Sequence, residues 1–353
     1  MKQAIVQAKL EAFAGRATGD LAAGYLGVMV SLGAKLGLYR AMAGVGPLSS
    51  QELAKRSGCA ERYVREWLKA QAAASYLSYY PASETYELQP EQALVLADED
   101  SPFYIPDAWN VPGSMWTDED KALAAIKSGG GIAWGEHDRR MACGVASFYR
   151  NGYRANLVAN WLPTLDGVVE RLEKGITVAD VGCGHGHSTL LLAEAFPNSR
   201  MGFDTHAASI EEARSHAEAA GLGGRAEFAL ANATTYPDQQ YDLICFFDVL
   251  HDLGDPVAAA RHAAEVLAPG GTVMLVEPFA HDCTADNLSL TGQLYYSAST
   301  VICCAHAISK GGGLVLGAQA GEAQLADVFR KAGFSHFRRA TETPFNMIFE
   351  AQR

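Results

Sequence analysis

The chain has 353 residues, of which 49% are hydrophobic, and carries a formal net charge of −12. That size and composition describe a globular protein with room for two domains. The acidic balance argues against a nucleic-acid partner, which needs clustered Lys and Arg, and against anionic membrane surfaces. Seven cysteines, at 59, 143, 183, 245, 283, 303 and 304, are odd in number and fit no zinc spacing, so they read as reduced thiols. The start, MKQAIVQAKLEAFAG, lacks the continuous apolar run of a signal peptide, which predicts a cytoplasmic protein.

In chain order, the longest apolar stretch is Leu21 to Ala34, interrupted by Ser31 and by Gly24, Gly27 and Gly33. It is too short to span a bilayer and predicts a buried helix at a dimer interface. Leu48-Ser49-Ser50 before Gln51-Glu52-Leu53-Ala54 marks a Ser-capped helix start, with Gly58 as its end. A second helix is expected over Glu61 to Tyr76, then two short strands within Leu77 to Leu88 around a Pro-Ala-Ser turn. Helix, turn, helix and hairpin make the winged-helix order over residues 1–100. Ten basic against eleven acidic side chains there give no groove-reading excess, so the module reads as a dimerisation scaffold.

Residues 101–165 form an aromatic helical connector and lid, with Trp109, Trp116 and Trp134 and a flexible Gly129-Gly130-Gly131. Most of these aromatics read as packing. Phe148, Tyr149 and Tyr153 are assigned to a substrate pocket, because the helix carrying them runs into the next domain.

Residues 166–353 alternate strands and helices, the pattern of a parallel, doubly wound α/β sheet. The stretch Thr177 to Pro197 (TVADVGCGHGHSTLLLAEAFP) reads as buried strand, glycine turn and helix. Gly182, Gly184 and Gly186 let a ligand approach the backbone closely. Asp180 enters the turn, and the dinucleotide spacing G-x-G-x-x-G is absent because position 187 is His. A second strand ends at Asp204, followed by Thr205, where an acidic side chain can accept both ribose hydroxyls. Further strands are expected at Ala226–Ala229, Tyr241–Phe246, Thr272–Glu277, around Gly333-Phe334 and over Asn346 to Ala351. A helix closes at Arg261 to Leu267, and a Pro269-Gly270-Gly271 turn follows it.

The Asp-x-Gly-x-Gly-x-Gly turn, Asp204, Asn232-Ala233 and the Leu-x-Pro-Gly-Gly turn together resemble the class I S-adenosylmethionine-dependent methyltransferases. With the winged-helix front, the chain resembles the small-molecule O-methyltransferases related to the plant caffeate and hydroxyindole enzymes. The fold implied is a Rossmann-like seven-stranded methyltransferase domain behind a mainly helical winged-helix domain, working as a homodimer. The cofactor implied is S-adenosylmethionine, held by Asp180, Gly182, Gly184, Gly186, Asp204, Thr205, Asn232, Ala233 and Phe247.

His251-Asp252 stands at the family's His-Asp pair, which makes His251 the general base, oriented by Glu277. An imidazole that titrates near working pH suits removal of a hydroxyl proton. Three positions depart from the family. Leu253 replaces an aromatic residue, Gln319 stands near a second glutamate with Glu322 close by, and Phe247 replaces a lysine. These leave O- versus N-methylation open. The insertion Ala280 to Gln319 shows no convergent metal ligands, and no metal is expected. Its apolar part, Leu290 to Ile308, reads as a helix over the substrate cavity, with Tyr295 and Tyr296 facing the substrate. The alternative function is a winged-helix transcription regulator that senses S-adenosylmethionine or a metabolite. A dinucleotide oxidoreductase is disfavoured by the glycine spacing.

Overall fold

The structure, a computed structural model, describes residues 5–196 and 200–353. Pro197, the end of the glycine-turn stretch, and the first four residues lie outside the described residues. The chain divides into two compact units, Met1–Gly113 and Ser114–Arg353. The boundary between the units falls within the connector expected over residues 101–165. Residues 101–113 belong to the first unit and 114–165 to the second. Trp109 fixes the first assignment, since it packs so tightly on Gly27 that a Cβ there would lie 2.2 Å from its ring.

In the first unit, the helix Gln7–Lys35 buries only Gly27, Val30 and Gly33, while Leu21, Tyr25 and Val28 are more than half exposed. It is therefore not a buried helix within this chain. Ser49 caps the helix Ser50–Ser57, and the Glu52 carboxylate accepts from the Ser49 N–H at 2.8 Å. Gly58, at φ +70°, ends it as expected. The next helix, Glu61–Ala73, buries Val64, Trp67, Leu68 and Gln71. It stops short of Tyr76 because Ser75 takes φ +62°, a left-handed conformation that breaks the helical path. Strands β1 (Ser78–Tyr80) and β2 (Thr85–Glu87) pair antiparallel, with Tyr79 opposite Tyr86. No helix among the described residues is long and apolar enough to cross a membrane.

The second unit is built on a seven-stranded sheet of β3 (Val178–Val181), β4 (Arg200–Asp204), β5 (Ala226–Leu230), β6 (Tyr241–Phe247), β7 (Leu267–Pro278), β8 (His336–Glu342) and β9 (Asn346–Gln352). Their order is β5-β4-β3-β6-β7-β9-β8. The first five strands in that order run parallel, and β9 runs antiparallel to both β7 and β8. The sheet is therefore mixed rather than parallel throughout. Only three residues separate β8 from β9, and a parallel pair needs a crossover of a dozen or more. The sixth strand starts at His336, not at Gly333. Gly333 sits at φ +98° just past the helix Glu322–Lys331, and Phe334 packs into the core.

Strand β6 shows why the sheet is covered on both faces. Ile244 and Phe246 join one core with the helices Pro256–Val266 and Glu322–Lys331. Leu243, Cys245 and Phe247 join another with Leu172 and Leu192. A continuous apolar strand with period-two side chains has no solvent face to offer. The helix Pro256–Val266 ends one residue before the expected Leu267, which already belongs to β7. The Pro269-Gly270-Gly271 segment lies inside that strand at a register shift opposite Tyr241 to Leu243. Strand order reverses between β3 and β6, which opens a crevice beyond their carboxyl ends.

Candidate active site

The glycine turn leaves β3 at that crevice. Gly184 takes φ +52° and lines the cavity, and a Cβ built on it would meet nothing within 4 Å, so its backbone is open to a ligand. Gly182 is needed for a different reason. It takes φ +78°, and a Cβ there would sit 2.3 Å from the Val249 side chain. The helix His187–Ala195 then starts at the turn.

Asp180 is buried behind the turn rather than on the cavity wall. Its Oδ2 accepts from Ser188 Oγ and Thr189 Oγ1, both at 2.6 Å, so it grips the helix start. Burial pushes Asp180 up to about 6, against the lowering by the two hydroxyls. With the folded value above the ordinary 3.8, the stability linked to this group is fully present below 3.8 and lost as pH rises through about 6. The two-unit displacement corresponds to roughly 3 kcal/mol. Asp180→Asn is therefore expected to melt higher than the wild type at pH 8 and to flatten stability between pH 4 and 6. A melting temperature at pH 8 below the wild type would contradict this.

Asp204 ends β4 on the wall. Its Oδ2 accepts from Gly184 N–H at 3.0 Å and its Oδ1 from His206 N–H at 2.7 Å. Each oxygen retains a lone pair for a ligand. Thr205, Asn232, Ala233 and Phe247 are also on the wall. The Asn232 oxygen accepts from Thr234 N–H and Oγ1, so its amide nitrogen is the half that can meet a base edge.

Across the crevice, His251 and Asp252 follow β6. His251 Nδ1 lies 2.6 Å from Glu277 Oε2 and Nε2 lies 3.2 Å from Asp252 Oδ1. Glu277 Oε1 also accepts from Leu250 N–H at 2.9 Å. Burial alone would lower the imidazole, but the two carboxylates outweigh it and hold His251 well above its ordinary value, as imidazolium. Burial likewise works to raise Asp252, and His251 more than offsets it. His251 and Glu277 are buried, and only Asp252 of the three reaches the cavity wall. Cys303, from the insertion, brings its sulfur to the same place, so that ligand-type atoms of His251, Asp252 and Cys303 lie within 4.8 Å of one another. The linear spacing did not show that convergence. Burial first, then Asp252, pushes the Cys303 thiol up to about 12, which keeps it neutral.

The cavity between the two sides measures about 470 Å³. Tyr149 and Tyr153 line it, stacked at 5.8 Å and 12°. The other expected substrate residues do not. Phe148 sits edge-on against Tyr149 and Phe345. Tyr295 is buried with its hydroxyl donating to the Phe345 carbonyl at 2.8 Å, and Tyr296 is exposed. Neighbouring helical residues point about 100° apart, so Tyr295 and Tyr296 cannot share one face. The expected single helix is two, Leu290–Val301 and Cys303–Ser309, broken at Ile302.

Sequence reasoning passed over Asp248. It takes φ +51°, a strained conformation for a non-glycine residue, and lines the cavity. Tyr153 Oη donates to its Oδ2 at 2.5 Å and Asn346 Nδ2 to its Oδ1 at 2.8 Å. Burial drives its carboxyl well above the ordinary range, against the Tyr153 hydrogen bond. The signal was an acidic residue ending an apolar strand, the same signal that singled out Asp204.

Residues 172–333 match the family described as a methyltransferase domain, and residues 24–98 match an Rv2258c-like winged HTH domain. Residues 172–333 thus form a domain of the methyltransferase type. Its curated relatives include trans-aconitate 2-methyltransferase of Streptomyces avermitilis, 35% identical over 31% of this chain and 42% of that protein. Another is 27-O-demethylrifamycin SV methyltransferase of Amycolatopsis mediterranei, 32% identical over 30% and 39%. The chain thus spans about two fifths of the length of these relatives. Among solved structures, human N-acetylserotonin methyltransferase in complex with S-adenosylmethionine is similar with a TM-score of 0.71 at 15% identity, covering 100% of this chain and 99% of that one. At such identity the likeness speaks to the fold.

Two structurally similar proteins are solved with S-adenosylhomocysteine and S-adenosylmethionine, the latter being the cofactor that the sequence resemblance implies. The residues present fit it. The Gly184 backbone is open to the cavity, Asp204 keeps acceptor capacity, and Asn232 lines the same space with its oxygen engaged by Thr234.

Proposed function

We propose that the protein transfers the methyl group of S-adenosylmethionine to a hydroxyl of a small aromatic or otherwise apolar molecule in the cytoplasm. The observation that carries this reading is the single cavity that the glycine turn, Asp204 and Asn232 share with Asp252, Tyr149 and Tyr153. When bound, the cofactor supplies an already activated sulfonium methyl. Asp204 takes the ribose hydroxyls, Thr205, Asn232 and Ala233 border the adenine, and Phe247 closes the floor. The stacked tyrosines hold a flat apolar substrate and exclude water.

His251 is the centre of the base, with Asp252 as its outlet. The substrate hydroxyl proton enters at Asp252, and the Glu277–His251–Asp252 unit, net −1 at rest, absorbs it. The test is calorimetric binding of S-adenosylhomocysteine followed by transfer of radiolabelled methyl to a panel of phenols and amines. Absence of saturable binding would end the reading, and transfer to amines alone would redirect it to N-methylation.

The winged unit is proposed to pair two copies of the chain. Support comes from the exposed Leu21, Tyr25 and Val28 on the helix Gln7–Lys35. On the helix Glu61–Ala73, Arg62 pairs with Glu66 and Arg65 with Glu61 at 2.6 Å, which neutralises the face that would read DNA. Sedimentation is expected to show a dimer that the double variant Tyr25→Asp, Val28→Asp turns into a monomer. A wild-type monomer with salt-dependent binding to promoter DNA would favour the transcription-regulator reading instead.

A further inference from the structure

His306 has no part in the machinery so far, yet it lines the cavity together with Asp252. Its ring is held by a segment 172 positions away in the chain. The Trp134 backbone N–H donates to His306 Nδ1 at 3.0 Å, and the Trp134 ring packs edge-on against it at 6.0 Å and 75°. A backbone N–H can only donate, so Nδ1 must keep its lone pair and the ring proton must sit on Nε2. Burial also holds His306 below its ordinary value, with Lys310 and His137 adding to this and Asp252 opposing it. His306 is thus fixed as a neutral hydrogen-bond donor.

Asp252 next to it is an ionised acceptor, and each of the two side chains biases the charge of the other. One wall of the cavity therefore offers an acceptor and a donor side by side. We infer that His306 Nε2–H and Asp252 together select substrates bearing an acceptor oxygen ortho to the hydroxyl that is methylated, such as catechol monoethers or ortho-hydroxy ketones. The hydroxyl donates to Asp252 while the neighbouring oxygen accepts from His306. This rests on the methyl-transfer reading for the reacting hydroxyl, and on the hydrogen bond from Trp134 for the donor. Lys310, which also lines the cavity, is a further donor that the variants below leave in place.

The probes are 2-methoxyphenol and 3-methoxyphenol, isomers that differ only in where the acceptor oxygen sits. Their binding is followed by ligand-observed NMR with and without saturating S-adenosylhomocysteine. The wild type is expected to bind the 2-isomer about five-fold more tightly, the range of one net hydrogen bond. His306→Phe keeps a flat ring and is expected to erase the preference while S-adenosylhomocysteine binds unchanged. His306→Gln, which restores an N–H donor, is expected to recover part of it. Equal binding of the isomers by the wild type, or a full preference in His306→Phe, would overturn the inference. Failure of the wild type to bind S-adenosylhomocysteine would count against methyl transfer alone, because the isomer preference is also read without it.

Discussion

Replacing His251 by alanine is expected to lower methyl transfer by roughly 10²–10⁴-fold while S-adenosylhomocysteine binds as before. The imidazole is the only cation between Glu277 at 2.6 Å and Asp252 at 3.2 Å among the described residues. Without it two buried carboxylates face one another, Asp252 rises out of its depressed range, and the cavity loses its ionised acceptor. Such an unpaired site also costs about 3–5 kcal/mol of stability. A loss of activity therefore needs a folding control. Asp252→Asn supplies one, since it keeps the shape of the wall and removes the acceptor. It is expected to lose activity comparably with a smaller change in melting temperature. Full turnover by either variant on the true substrate would remove the base assignment.

The same triad has a pH signature whose sign follows from the raised His251 value. A cationic group raised in the folded state stabilises fully below its ordinary value of 6.5 and loses that stabilisation as pH climbs through the folded value. Stability linked to His251 should therefore decline only on the alkaline side, and His251→Ala should lack that decline. Asp252, held low, stays ionised through mildly acidic pH, so the base does not fail there.

Asp204→Ala is expected to weaken S-adenosylhomocysteine binding by roughly 10²–10⁴-fold, measured by calorimetry, with no comparable effect on thermal stability. Two ribose hydroxyls lose a charged acceptor at about 1.5–3 kcal/mol each. The glycine turn also loses its anchor, because Asp204 holds the Gly184 and His206 N–H groups at 3.0 and 2.7 Å. Asp204→Asn separates the two effects, since its single carbonyl oxygen can hold one N–H while the charge is gone. It is expected to lie between the wild type and Asp204→Ala. Unchanged affinity in Asp204→Ala would place the ribose elsewhere.

These expectations show how unevenly the site could be read from the sequence. The side of the cavity proposed for the cofactor was legible because its signals are local. Glycines at alternate positions, an acidic residue ending each apolar strand and a helix start all fall within a few residues of each other. Asp204, Thr205, Asn232, Ala233 and Phe247 accordingly stand on the wall. Asp180 and Gly186 did not follow, Gly186 lying against Phe228 and Ala213, since whether a residue at a strand end or turn faces the crevice or lies behind it depends on the packing of the next helix. The substrate half was hard to read because its members come from distant segments. Tyr153 meets Asp248 across 95 positions, and Trp134 meets His306 across 172. No periodicity encodes such pairs.

The amino-acid sequence by itself determined the order of elements, the winged-helix front, the β-α alternation and the glycine turn at the crevice, since each rests on local backbone preference and apolar period. Tertiary structure alone decided that β9 runs antiparallel to β7, that Tyr295 turns into the core, and that Cys303 reaches His251. It also buried His251 and left Asp252, Asp248 and His306 on the cavity wall. The reason is that register and burial come from packing whole elements against one another, and a one-residue change in that packing reverses which side chains face the cavity.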